Sequence, residues 1–375
     1  MRIAVNTRFL LSTKMEGFGW YTYEVVKRLV EEHPEHEFIF FFDRKFDEKF
    51  IFGDNVTPVV LSPQARHPIL FRIWFDFSVK RALKKYDVDL FFSPDGFLSL
   101  KSSIPQVNVI HDINFEHNPE DLPKNARKYL KKYFPKFAQK SKHILTVSEY
   151  SKQDICKTYG IDESKVTVAW NGASEAFRPI SLDDKKKAEA KYAGGQPYLL
   201  FVGALHPRKN VQRLIAAFEQ VKNDHPELPY KLIIAGEELF SGSKKSVAIS
   251  NELRKHIHFT GHLKLEELAF LMAGATVFTF VPYFEGFGIP LVEAMRCGTP
   301  ILSGDKTSLP EVAGEAALYC NPFDVSDIAE KLKLICSDDD LRIKLSEKGL
   351  ERSKLFSWDS SAEKVWGVLT SILKD

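Results

Sequence analysis

A chain of 375 residues is too long for one ordinary hydrophobic core and implies two domains. Its 44% apolar and 27% charged residues are those of a soluble globular protein, and a formal charge of +2 excludes a general nucleic-acid binder. No apolar run approaches a membrane span and the first strand begins at once, leaving no room for a signal peptide; the expected location is cytoplasmic, or peripheral on the inner face of the cell membrane.

In chain order, Arg2–Val5 and Glu37–Phe42 read as strands flanking an amphipathic helix from Tyr21 to Glu32. Short apolar runs follow at Asp89–Phe92, Gln106–Ile110, His143–Val147 and Val166–Ala169. Strands alternating with helical segments imply a parallel sheet with crossover helices. The polar stretch Ser174–Gln196 breaks the rhythm, and the linker is placed at 176–196. The pattern restarts at Tyr198–Val202, with further strands at Lys231–Ile234, Ile257–Thr260, Thr276–Val281, Pro300–Ser303 and Ala317–Tyr319. Helices fall between them, among them Val211–Lys222 and Leu265–Met272, and Phe356–Lys374 reads as a last helix opened by Ser357. The expected architecture is α/β: Rossmann-like domains at 1–175 and 197–355 with parallel sheets facing across a cleft, and a terminal helix at 356–375. Cys156, Cys297, Cys320 and Cys336 have no metal or redox spacing and read as reduced, mostly buried thiols.

The densest chemistry lies at Tyr283–Met295. A buried strand empties there into a loop with Gly286 and Gly288, and Pro290 suits the first turn of a new helix. Glycines let backbone N–H groups approach a ligand, and a helix N-terminus favours an anion. Glu285 and Glu293 flank that phosphate-sized pocket, at a strand's C-terminal end where open α/β sheets bind ligands. One carboxylate for sugar hydroxyls and one for a ribose, beside a phosphate site, point to a nucleotide sugar.

A second constellation is Gly203–Asn210, where a strand ends in a loop with adjacent Arg208 and Lys209 and a helix begins near Asn210, a plausible N-cap. Two cations beside a helix N-terminus can stabilise the charge that develops on a leaving nucleoside diphosphate. Cationic side chains meet that need without a divalent metal, so no metal site or cofactor is expected. Asp87-Val88-Asp89 has the spacing of a metal-binding pair but reads as the polar start of a strand. His111, after the strand Gln106–Ile110, can contact a sugar hydroxyl or stabilise positive charge at the anomeric carbon. Gly17 and Gly19, placed between the first strand and helix, can bring backbone amides to a diphosphate. The segment Lys124–Lys142 carries eight bases and no acid, interleaved with Tyr129, Leu130, Tyr133, Phe134 and Phe137 at helical spacing. Together with the run Ile69–Phe75 it suits an anionic membrane surface or, equally, a helix packed on the sheet with its lysines in solvent.

Glu285 to Glu293 closely resembles the E-x7-E signature of the family 4 retaining glycosyltransferases of GT-B fold, and Gly203-x4-Arg208-Lys209-Asn210 resembles that family's phosphate motif. The resemblance spans essentially the whole chain and is most specific in the second half. It implies that Glu285 contacts the transferred sugar, that Glu293 holds the ribose, and that the backbone of Phe287, Gly288, Ile289 and Leu291 cradles sugar and phosphate. It further implies that Gly19, Arg208 and Lys209 serve the diphosphate, that His111 is a substrate contact, and that the terminal helix crosses back to the first domain. Where the family often has a glycine pair this chain has Glu16-Gly17, which leaves Gly19 as the better contact. The implied activity is retaining hexosyl transfer from a nucleotide sugar to a glycan or lipid-linked saccharide, with Pro207–Asn210 resembling the form found in mannosyltransferases that use GDP-mannose. Two other readings stay open: an epimerase or hydrolase of nucleotide sugars, and a non-catalytic nucleotide-sugar-binding partner in polysaccharide assembly.

Overall fold

The computed structural model describes residues 1–12, 15, 17–237 and 250–374; the expectation attached to Glu16 lies outside them. The chain divides into two compact units, one of Met1–Asn171 with Ser357–Asp375, the other of Gly172–Phe356.

The first unit is built on seven parallel strands: β1 (Arg2–Asn6), β2 (Glu37–Phe42), β3 (Val56–Val60), β4 (Leu90–Ser93), β5 (Gln106–Val109), β6 (His143–Thr146) and β7 (Val166–Val168). Their order is β3-β2-β1-β4-β5-β6-β7. Five of the six residues of β2 are buried, a continuous run rather than an alternation, as in a sheet covered on both faces. The edge strand β3 escapes the sequence pattern because Pro58 interrupts it, and an edge is where a strand tolerates proline. The first helix runs Gly17–Glu32, so the two glycines sit in its opening turn rather than in a preceding loop. The helix Lys124–Lys140 turns Tyr129, Phe134, Phe137 and Ala138 into the core and leaves its lysines outward. Its apolar stripe therefore packs on the sheet and is not a free surface.

The helix Trp358–Lys374 completes this unit by packing on Gly17–Glu32. Trp358, Ala362, Val365 and Leu369 recur at helical spacing and are buried, while Arg28 pairs with Asp359 at 2.5 Å and the Trp366 ring stacks 3.7 Å from His33.

The second unit holds six parallel strands: β8 (Tyr198–Val202), β9 (Lys231–Ala235), β10 (Ile257–Gly261), β11 (Val277–Phe280), β12 (Ile301–Gly304) and β13 (Ala317–Cys320). Their order is β10-β9-β8-β11-β12-β13. All six runs expected from the sequence are strands. Within 176–196 the structure has a helix, Leu182–Ala193, capped by Ser181 and ended by left-handed Gly194; it packs on the helix Leu265–Gly274. The four cysteines are buried free thiols, and burial pushes Cys320 and Cys336 up to about 12. No helix among the described residues is long and apolar enough to cross a membrane.

Candidate active site

In the second unit the strand order reverses between β8 and β11, and beyond the C-terminal ends of strands at such a reversal is where open α/β sheets bind ligands. Both constellations read from the sequence converge there. After β8 the chain makes a single turn, Pro207–Lys209, whose Arg208 amide donates to the His206 ring. After β11 the loop leads to the helix Ile289–Cys297. The two loops are laced together: the Tyr283 amide donates to the Arg208 carbonyl at 3.0 Å, and the Arg208 guanidinium donates to the Phe284 carbonyl at 3.1 Å. Asn210 stands at the N-cap of the helix Val211–Asp224, but its side chain makes no capping hydrogen bond. It is left-handed (φ 63°), and its Nδ2 instead donates to Val281 and Pro322 carbonyls at 2.9 and 2.6 Å.

Glu285 is 6% exposed, and its Oε1 lies 2.6 Å from the Arg208 guanidinium and 2.5 Å from the Lys209 ammonium. Burial alone would push this carboxyl up, but the two cations and their hydrogen bonds hold it below the usual range. Lys209 Nζ also sits 4.9 Å above the Phe280 ring. Glu293, one helical turn in, has no such pair among the described residues. Burial pushes its carboxyl up to about 7, against a smaller opposing pull from Lys209. Gly288 at φ 97° opens the helix in a conformation that favours glycine. Phe287 and Leu291 point into the core, and the Leu291 amide bonds the Gly288 carbonyl. Pro290 has no amide N–H, so the Leu291 amide, engaged by the Gly288 carbonyl, is the first one inside the helix.

The order in the first unit reverses between β1 and β4. There Arg8 and Asp95, 4% and 1% exposed as side chains, pair at 2.6 Å, with the guanidinium 4.5 Å from the Phe97 ring centre. His111 follows β5, with its Nε2 2.9 Å from the Pro94 carbonyl. That carbonyl only accepts, so Nε2 carries the proton. Burial lowers the ring's pKa, more than Pro94, Asp112 and Asp95 raise it, and His111 is neutral at pH 7. Phe18 and Tyr21 set their rings edge-on to it at 4.9 and 4.7 Å. At Gly19 a Cβ would lie 2.7 Å from the Phe9 carbonyl, so packing alone demands glycine there. Asp87 and Asp89 engage Arg2 at the opposite end of the sheet, and the described residues hold no group of three or more His, Cys, Asp or Glu able to hold a metal.

Two family models divide the chain between them: Glycosyltransferase Family 4 matches residues 15–177 and Glycosyl transferases group 1 matches 183–352. The chain is a GT-B glycosyltransferase. This glycosyltransferase is 28% identical over 358 residues to O-antigen chain mannosyltransferase B of Escherichia coli, covering 92% of this chain and 93% of that one. It is 30% identical over 230 residues to O-antigen chain mannosyltransferase RfbU of Salmonella typhimurium, covering 61% and 60%. Among solved structures it shares its fold with Anabaena Alr3699/HepE in complex with UDP and glucose, at TM-score 0.75 and 18% identity over 99% of this chain and 100% of that one.

The sequence overlooks the residues that hold the glycosyltransferase's glutamate loop in place. Ser308 Oγ lies 3.0 and 3.1 Å from the carbonyls of Glu285 and Phe287, and the Glu285 amide donates to Thr307 Oγ1 at 3.2 Å. Thr307 is left-handed, at φ 57°. Both follow β12, and only parallel pairing of β12 with β11 brings them there. Nothing local in Lys306-Thr307-Ser308 announces it.

Proposed function

We propose that this glycosyltransferase moves a hexose, with retention at the anomeric carbon, from a nucleotide sugar to a glycan or lipid-linked saccharide. The observation that carries the reading is the buried Glu285 gripped by Arg208 and Lys209 at the strand-order reversal, with Glu293 one helical turn away. The cations supply charge for a diphosphate, and the helix opening at Gly288 adds its dipole. Glu285, fixed by two cations, is an orienting acceptor for hydroxyls of the transferred sugar, and Glu293 accepts from the ribose.

In the step itself the bond between the anomeric carbon and the phosphate oxygen breaks, and the electron pair leaves with the nucleoside diphosphate. The acceptor oxygen attacks from the same face, and its proton passes to the departing phosphate. Arg208, Lys209 and the loop amides stabilise the leaving charge without a divalent ion. In the first unit, neutral His111 presents Nδ1 as a hydrogen-bond acceptor for a substrate hydroxyl. GDP-mannose is the favoured donor, supported by the Pro207–Asn210 sequence and by two relatives that are O-antigen mannosyltransferases.

The test is thermal stability against GDP-, UDP- and ADP-sugars with and without EDTA, since a ligand of the native state raises the melting temperature. A rise confined to GDP-mannose and indifferent to EDTA is expected. A cooperative melt unmoved by every donor would sink the donor site.

A further inference from the structure

We propose that Arg8 and Asp95 are positioning residues for transfer: their ion pair locks the turn after β4, so that the Pro94 carbonyl holds the His111 proton on Nε2 and leaves Nδ1 as the ring's acceptor. The inference deepens the proposed function with two residues that touch no substrate, and rests on that reading only for His111 as a substrate contact. β4 ends at Ser93, which lies beside Asn108 in the parallel pairing with β5, so the turn 94–97 and His111 leave the same end of the sheet. The peptide joining Pro94 to Asp95 carries the carbonyl that accepts from His111 Nε2 at 2.9 Å. Whatever fixes Asp95 therefore fixes the atom that selects the tautomer.

Asp95 is held through both carboxylate oxygens. Its Oδ2 accepts from Arg8 Nε at 2.6 Å, and its Oδ1 from the Phe97 amide at 3.2 Å and the Ser93 hydroxyl at 3.1 Å. Ser93 Oγ in turn accepts from Asn6 Nδ2 at 3.0 Å, which ties the turn to β1. From β5, Asn108 Nδ2 donates to the Gly96 carbonyl at 2.9 Å. The Asn108 Oδ1 is buried with no partner among the described residues, so this side chain serves that one carbonyl. Arg8 is caged as well: the rings of Phe9, Phe71, Phe75 and Phe97 are centred 4.5–5.3 Å from its guanidinium carbon.

Stability does not account for such a pair, because apolar side chains of similar size often serve a core at least as well. What the charges and their hydrogen bonds add is a single geometry for the turn. The His111 ring is pressed edge-on by Phe18 and Tyr21, and the Ser151 hydroxyl donates to the His111 carbonyl at 3.0 Å. Packing thus sets the ring and its backbone, and the place of the proton is left to the turn. Asp112 and Asp95 favour a charged ring less than burial opposes it, and burial keeps the Tyr21 hydroxyl protonated beside it. With the ring neutral, the turn controls which nitrogen carries the proton, not whether the ring is charged.

The experiment is nitrogen NMR of isotope-labelled histidine rings in the full chain at about pH 8, with the His111 signals assigned by their loss in His111→Gln. The wild type should show one tautomer, protonated at Nε2. In Arg8→Met/Asp95→Leu, which replaces the pair by apolar side chains, the ratio of Nε2–H to Nδ1–H forms should fall about fivefold, the worth of one ordinary hydrogen bond. Release of GDP from GDP-mannose should fall about tenfold in kcat in the same variant, with KM nearly unchanged. Arg8→Lys, which keeps the charge pair, should stay close to wild type in both readouts. Should the double variant fold poorly, Asn108→Ala, which frees only the Gly96 carbonyl, carries the test and should shift the ratio the same way. The melting shift given by GDP-mannose should survive in every variant, since the groups proposed to hold the donor lie in the second unit. No shift or no GDP release in the wild type itself would count against the donor reading and leave the tautomer result standing. Three results would overturn the proposal: a wild-type His111 that is charged or protonated at Nδ1, an unchanged ratio in the variants that fold, or full turnover in the double variant.

Discussion

Glu285 holds Arg208 and Lys209, the two cations proposed to bind the diphosphate, and this sets a competition within the site. Arg208 and Lys209 each sit within 2.6 Å of one carboxylate oxygen. Glu285→Ala removes both the sugar contact and this counter-charge. Turnover should fall at least a hundredfold, while nucleoside diphosphate binds no more weakly and up to tenfold more tightly, read by calorimetry beside steady-state rates. Weaker nucleotide binding would mean that Glu285 positions the cations rather than competing for them. Glu293 gives a pH signature. Its carboxyl titrates near 7, whereas Glu285 is held low, His111 is lowered, and a diphosphate diester does not titrate there. A carboxylate accepts from ribose hydroxyls best when ionised, so donor affinity should rise as pH increases through about 7 and flatten above it. In Glu293→Gln the step should vanish. Stability carries the opposite sign: the folded pKa lies above the unfolded value, so this group's contribution is greatest below about 4.5 and is lost as pH rises through 7.

The helix Ile289–Cys297 shows what one backbone position must supply. Gly288 is left-handed at φ 97°, and a Cβ there would stand 3.1 Å from Leu309 Cδ2. Gly288→Ala should lose about 1–3 kcal/mol of stability in denaturant unfolding of the second unit and slow turnover with it, since the loop that presents Glu285 is displaced. Unchanged stability would show that the loop has an alternative route into the helix. Elements of this kind were legible in the sequence because their causes are local: β-branched runs for strands, Pro290 and Gly288 at a helix start, Ser357 before the last helix. The groups of the candidate site could be nominated for the same reason, as they stand in two short segments. What was not legible depends on distant partners. Strand β3 hides behind Pro58, the helix within 176–196 has few apolar positions, and the side chain of the N-cap Asn210 is drawn from capping to the distant carbonyls of Val281 and Pro322. The stripe of Lys124–Lys140 also admitted two readings until Phe134 and Phe137 were found in the core.

Each unit of the whole molecule owns a complete sheet and core, and the groups proposed to hold the donor, Arg208, Lys209, Glu285, Gly288 and Glu293, all belong to Gly172–Phe356. That unit is also closed on itself: the Arg296 guanidinium donates to the Ala173 carbonyl at its start, and the Phe287 ring meets Phe356 at its end. The fragment Gly172–Phe356 should therefore unfold cooperatively and bind nucleoside diphosphate within about tenfold of the full chain, while transferring nothing. The reverse truncation should behave differently. Ending the chain at Phe356 strips the first unit of Trp358, Val365 and Leu369, each contributing about 1.5–3 kcal/mol by burial. Their sum is comparable to the entire stability of an ordinary domain, about 5–15 kcal/mol. The truncated chain should then show two separated transitions, the first unit melting early and the second still raised by nucleotide. A single transition, raised as in the full chain, would mean that the terminal helix adds little, despite its buried tryptophan and its ion pair to Arg28.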